Sequence, residues 1–389
     1  MGVNTQVVHG HGHRDPVYGS IVPPIYVSAI YEYIDGEHSF RSDRGIVVKY
    51  SREENPTVRA LERVVAGLEG AEDALALGSG MAAVACSVIP YLERGRRVVV
   101  PMELYSTSIQ LIEDMAAKVG AEVVKAWPSA ESIAECIDGR TNLVFLEVLT
   151  NPTLRVIDLR RVVEAAEEST VVVVDNTFTT PLLLKPLRLG ARIVVHSLTK
   201  YLAGHNDVVG GAVAGGRDVV KELWDWRRKL GTIMHPVEAY LAMRGVKTFA
   251  LRFEKQCRNA QAIAEHLHDH PKVERVHYPG LETDPGHDTA VKLFERRLFG
   301  AVLSFALRGT RNDVIRFLKR LRIIKTAPSL GGTETLITIP STSAAKYIPP
   351  EHREKLGITD NLLRLAAGIE DEEDLIEDCL LYTSPSPRD

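Results

Sequence analysis

Apolar positions along this chain recur at two periods. Around Val58–Gly70 they fall three and four apart, the spacing of an amphipathic helix, and the run stops at a glycine. Short unbroken apolar stretches follow at strand length. They are expected at Ala74–Leu77, Arg97–Val100, Glu122–Ala126, Leu143–Leu146, Val171–Val174, Ile193–Val195 and Gly210–Ala214. Between them, helical spacing is expected at Met81–Leu92, Ser106–Val119, Ser129–Ile137, Leu159–Glu168, Lys221–Lys229 and Pro236–Phe249. Strands that are apolar throughout and alternate with helices predict an α/β chain with a mainly parallel sheet covered on both faces.

The same pattern divides the chain. Residues 1–55 are rich in Gly, Pro, Tyr and charge and show no period, so they read as an irregular arm lying on another surface, such as a neighbouring subunit. Residues 56–255 form the large domain. A long helix near Phe253–His270 leads into a smaller α/β domain, 256–381, with strands at Val273–Val276, Gly300–Ala306 and Leu336–Thr338 and helices at Asn312–Leu321 and Glu373–Leu381. Residues 382–389 change composition abruptly and read as a tail, a possible non-native scar outside the fold.

Bulk properties narrow the function. With 389 residues, 45% of them hydrophobic and 25% charged, the chain has the balance of a soluble globular protein. A net charge of −4 argues against coating nucleic acid. No apolar run approaches the ~18 residues a membrane helix needs, and no signal peptide is expected. The four cysteines are scattered, without a C-x-x-C pair, which fits a reducing cytoplasm.

Candidate chemistry gathers at strand ends. Val171–Val174 delivers Asp175, and Ile193–Val195 leads into His196-Ser197-Leu198-Thr199-Lys200. In an open α/β sheet, ligands bind beyond the carboxyl ends of the strands. A lysine amine for a Schiff base and an acid for a pyridine nitrogen are what pyridoxal 5′-phosphate (PLP) chemistry requires. Taken singly, each reads as well as a capping Asp or a surface Lys. Gly78-Ser79-Gly80-Met81 turns from strand to helix, where backbone amides favour phosphate; Ser197 and Thr199 could add donors. Arg364 lies in the apolar run Leu362–Ala367 and needs a partner, either an internal carboxylate or that of a substrate. The tract His9-Gly10-His11-Gly12-His13 raises a metal reading that its glycines and terminal position disfavour, so no metal is expected.

These pieces together resemble a family. The motifs are Tyr50-Ser51-Arg52, Asn55-Pro56-Thr57, Gly78-Ser79-Gly80-Met81, Asn151-Pro152-Thr153 and Val174-Asp175-Asn176-Thr177-Phe178. They continue with Ser197-Leu198-Thr199-Lys200-Tyr201, Ser329-Leu330-Gly331-Gly332 and Arg364-Leu365-Ala366-Ala367-Gly368-Ile369-Glu370. From about Thr5 to Leu381 the chain resembles the PLP-dependent trans-sulfuration enzymes: cystathionine γ-synthase, the cystathionine γ- and β-lyases, methionine γ-lyase and the O-acylhomoserine sulfhydrylases. The resemblance implies a fold-type-I PLP enzyme of sulfur amino-acid metabolism, cytoplasmic and homotetrameric as a dimer of dimers. It implies that Lys200 carries the cofactor and moves protons, that Asp175 pairs with the ring nitrogen, and that Tyr105 stacks on the ring and assists proton transfer. It further implies that Gly80, Met81, Ser197 and Thr199 hold the phosphate, with Tyr50 and Arg52 reaching across to a neighbouring subunit's phosphate. Asn151 would contact the ring hydroxyl. Arg364 and Ser329 would fix the substrate carboxylate and the lysine region.

Several positions depart from the family's usual pattern, among them Ser106 and Thr107, which follow the stacking tyrosine in place of the usual glycine and of the cysteine common in methionine γ-lyases. Lys49 stands where an acidic residue commonly precedes Tyr-x-Arg, Gln110 where an arginine follows the stacking tyrosine, and Pro328 where lyases often carry glutamate. They are expected to line the distal pocket, with Lys49 favouring an anionic leaving group or else pointing to solvent. The favoured reaction is γ-replacement on an activated homoserine by cysteine to give cystathionine. The alternatives are γ-elimination of cystathionine or methionine, and sulfhydrylation. A PLP carrier without catalysis is disfavoured because Lys200 and Asp175 are both present.

Overall fold

The computed structural model describes residues 2–12, 15, 17–33, 36, 37 and 40–380. The expected tail, 382–389, lies outside the described residues, as do Leu381 and His13.

The large sheet has seven strands: β1 (Asp73–Leu77), β2 (Arg97–Pro101), β3 (Glu122–Ala126), β4 (Thr141–Glu147), β5 (Val171–Asp175), β6 (Ile193–Ser197) and β7 (Gly211–Gly215). Their order is β1-β7-β6-β5-β4-β2-β3. The run from β6 to β3 is parallel, and β7 is antiparallel to both neighbours. In β5, Val172 and Val174 pack into one buried cluster and Val171 and Val173 into another on the opposite face. Both faces are therefore apolar, and the strand reads as a continuous hydrophobic run. The alternation has a chemical result. Glu147, Asp175 and Ser197 end β4, β5 and β6 at positions two residues beyond Phe145, Val173 and Val195, which share one cluster. Period two turns all three to that same face.

The second sheet comprises β8 (Val273–His277), β9 (Val302–Leu307), β10 (Lys325–Thr326), β11 (Leu336–Thr338) and β12 (Leu362–Ala366), in the order β10-β11-β12-β9-β8. The helix Phe249–His268 serves both cores: Phe249, Phe253 and Cys257 pack with the large sheet, and Ala260, Ile263, Ala264 and Leu267 with the small one.

One expectation changes. The N-terminal arm is not wholly irregular: Val3–His9 is helical and buries Val7 against the large-domain core. The arm is also pinned, because Arg44 donates to Asp73, Glu62 and the Ala74 carbonyl. The run at Leu362 is β12, a strand on which Leu363 and Leu365 face the small-sheet core and Arg364 takes the other side.

Candidate active site

A cavity of about 730 Å³ opens beyond the carboxyl ends of β4, β5 and β6. Chain order reverses between β2 and β4, the switch point at which open parallel sheets form a crevice. Of the twelve residues expected from the sequence, ten line this cavity: Gly80, Met81, Tyr105, Asn151, Asp175, Ser197, Thr199, Lys200, Ser329 and Arg364.

Each is held by local structure. Ser79 caps the helix Gly80–Val88 by accepting the Ala82 amide at 3.0 Å. A Cβ on Gly80 would stand 2.9 Å from the Ser197 Cβ, so only glycine lets the helix start this close to β6. Thr199 Oγ exchanges hydrogen bonds with the Gly210 backbone, and Thr177 Oγ accepts the Ser197 amide. Gly80, Met81, Ser197 and Thr199 thus gather small groups and hydroxyls at a helix start, a set suited to an anionic phosphate.

Lys200 extends into the cavity, and its Nζ donates to Ser329 Oγ at 2.6 Å. Burial, and then the charge of Arg364, lowers its amine to about 8. Ser329 adopts φ 105°, a left-handed conformation that a side chain rarely takes. The following glycines let the loop close on the lysine: a Cβ on Gly331 would lie 2.6 Å from the Tyr201 amide. Arg364 is buried, donating to Asn151 Oδ1 at 2.9 Å and the Ser329 carbonyl at 3.0 Å. Its Nε has no hydrogen-bond partner. A buried guanidinium with a donor to spare, lining a cavity, suits an incoming carboxylate.

Burial raises Asp175, although the Thr177 amide and hydroxyl and nearby His196 favour its charge. A protonated ring nitrogen would supply the cation this carboxylate lacks. Tyr105 is 41% exposed at the cavity mouth, leaving a ring face open for stacking. The residues therefore fit PLP: an amine poised to condense, an acid for the ring, a phosphate turn and an aromatic face.

The remaining expectations fall elsewhere. Tyr50 and Arg52 do not line this chain's cavity; Arg52 donates to the Arg228 carbonyl and lies over the Tyr50 ring. Of the distal positions Lys49, Gln110 and Pro328, the last lines the cavity. Lys49 pairs instead with Glu53 at 3.5 Å, and Gln110 is exposed on the helix Ser106–Val119, so neither joins the pocket within this chain. His11 is buried, and the described residues contain no metal-binding cluster. No helix among them is long and apolar enough to cross a membrane.

Sequence reasoning missed Glu147. It ends β4 as Asp175 ends β5, and the two are in register. The signal was the same as for Asp175, a carboxylate following an apolar strand, but the expected strand stopped one residue short.

Comparison with known proteins points to the same cofactor. The family model for Cys/Met metabolism PLP-dependent enzymes matches residues 4–381. An L-methionine γ-lyase of Fusobacterium nucleatum subsp. polymorphum is 38% identical over 386 residues, covering 97% of this chain and 96% of its own. A cystathionine β-lyase of Coxiella burnetii is 37% identical, with coverage of 97% and 96%. A solved structure of cystathionine γ-synthase from Xanthomonas oryzae pv. oryzae, in complex with aminoacrylate and cysteine, superposes with a TM-score of 0.92 at 38% identity, covering 98% of this chain and 97% of that one.

Proposed function

The chain belongs to the Cys/Met metabolism PLP-dependent enzyme family, and from that premise we propose that it catalyses γ-replacement on an activated homoserine, with cysteine as the thiol and cystathionine as the product. The observation that carries this choice is the cavity wall formed by Pro328, Thr338, Thr342, Ser343 and Ala344. This wall offers hydroxyls and apolar surface but no carboxylate. The ester of an activated homoserine carries no ammonium on its departing group and suits this wall; the ammonium that cysteine brings as nucleophile, like that of cystathionine, is met by none of these five residues.

The bound cofactor supplies an electron sink for negative charge at the substrate's α-carbon. This chain's residues do the rest. Arg364 holds the substrate carboxylate. Lys200, with its amine lowered to about 8, has a neutral fraction near neutral pH able to take the α-proton. It can also take the β-proton, so that the ester leaves Cγ as its carboxylate with the bonding pair; once the thiol sulfur has bonded to Cγ and given up its proton, Lys200 returns protons to Cβ and Cα, with Tyr105 assisting. Ser329 holds Nζ in place between transfers. Asp175 holds the ring nitrogen, and Asn151 the ring hydroxyl. Tyr50 and Arg52 act on the phosphate of a neighbouring copy in a dimer of dimers.

A second reading, γ-elimination of methionine, shares the support of the neutral wall, because a thioether is uncharged. One product panel separates the two. Activated homoserines with cysteine should yield cystathionine, whereas methionine or cystathionine alone should yield little 2-oxobutyrate. Fast 2-oxobutyrate release from methionine, without cystathionine formation in the first set, overturns the synthase reading.

A further inference from the structure

Two buried carboxylates fasten the cavity's loops to each other, and one of them lies beside Asp175. Glu103 precedes Tyr105 by two residues. It accepts the Thr153 amide at 2.6 Å and the Thr153 hydroxyl at 2.8 Å, holding the loop that carries Asn151. Glu147 precedes Asn151 by four residues. Its Oε1 accepts the Tyr105 amide at 3.1 Å, holding the loop that carries the tyrosine. Each loop grips the other, so Tyr105 and Asn151 are fixed as a pair.

Glu147 has a further constraint. It is 6% exposed, it pairs in register with Asp175, and period two puts both carboxyls on one face. Its Oε2 lies buried without a hydrogen-bond partner. Arg364, the cation that faces it, is already bound to Asn151 and Ser329. Two adjacent anions there would share too little compensation. We propose that Glu147 is a positioning acid that stays uncharged in the working enzyme, holding Tyr105 through Oε1 and leaving Asp175 as the charged member of the pair. The charged groups facing it are Asp175 from β5, Glu103 from the loop after β2 and Arg364 from β12. Burial, followed by the charge of Asp175, raises Glu147 well above the usual carboxylate range, with Glu103 adding and Arg364 and the Tyr105 amide opposing. The proposal rests on reading Asp175 and Tyr105 as cofactor-facing.

The test uses the holoenzyme and the pH titration of its lysine-bound cofactor absorbance. An amide reproduces a neutral acid: Glu147→Gln can accept from Tyr105 and donate from the other arm. Its titration midpoint should therefore match the wild type. If Glu147 were charged, removing that charge would move the midpoint downward by roughly one to three units, which overturns the proposal. Glu147→Ala should free the tyrosine and weaken cofactor affinity by roughly two- to tenfold, the worth of a stacked aromatic. In a Tyr105→Ala background the same change should add nothing further to that loss. Equal losses in both backgrounds point to a merely structural role and also overturn the proposal. If the wild type shows no lysine-bound cofactor, the functional reading fails instead, so the two failures remain distinct.

Discussion

Glu62 and Glu147 are both buried carboxylates next to the large sheet, and the protein treats them in opposite ways. Around Glu62, on the helix Pro56–Glu69, three guanidiniums meet three carboxylates: Arg44, Arg59 and Arg227 against Glu54, Glu62 and Asp73. Burial opposes its charge, yet Arg44, Arg227 and Arg59 together bring Glu62 down to about 2. Around Glu147 and Asp175, burial prevails and both are raised. The first cluster sets three cations against three anions and holds the arm to the sheet, with only Glu54 among them raised by burial. The second is short of cations, and a cationic cofactor ring would complete it. A buried charge supplied with partners marks structure, and one left wanting marks a site.

The comparison can be broken first at the site. Lys200→Ala should lose the lysine-bound cofactor absorbance and all measurable turnover while unfolding at close to the wild-type temperature, since the group lost is a cavity amine. Arg227→Met tests the other cluster. It should cost about 3–5 kcal/mol of stability, as expected when one partner of a buried pair is removed, with KM little changed in the protein that remains folded; denaturant unfolding and steady-state kinetics check this. Arg364→Leu should raise KM for the amino-acid substrate by roughly ten- to a hundredfold, the worth of charged hydrogen bonds.

The pH dependence sharpens the contrast because the signs differ. Glu62 sits below its unfolded value of about 4.3, so its stabilisation is full above that value and is lost as pH falls toward 2. Glu147 is raised, so its contribution is full below about 4.3 and is lost as pH rises through its folded value. In the cofactor-free protein, Glu62→Gln should flatten the acid side of a plot of unfolding temperature against pH, and Glu147→Gln the side above about pH 4.3. The smallest effect concerns rate. Cofactor uptake by the apoprotein should accelerate as pH rises through about 8, where the Lys200 amine loses its proton.

The sequence carried much of the site and less of what supports it. Lys200, Asp175 and the Gly80 turn were legible because strand period and strand-end position locate them without tertiary knowledge. Arg364 was visible only as a charge in an apolar run; that it lies on β12, opposite Ser304 and Thr338, is a matter of pairing between distant segments. Glu103 and Glu147 were hidden because their roles depend on two loops meeting across β2 and β4. Lys49 and Gln110 were expected at a pocket from family position, with solvent as the alternative for Lys49; within one chain Lys49 meets Glu53 and is partly exposed, and Gln110 faces outward. The arm's helix went unseen because seven residues show too little period to distinguish from an irregular segment.

The central claim is that the cavity at the strand ends receives PLP on Lys200. Borohydride reduction of the cofactor-loaded protein fixes the Schiff base, and peptide mass spectrometry then locates it. The account predicts the added mass on the peptide containing Lys200 and on no other lysine peptide. The adduct on a different lysine, or its absence from a protein that turns over substrate, would contradict it.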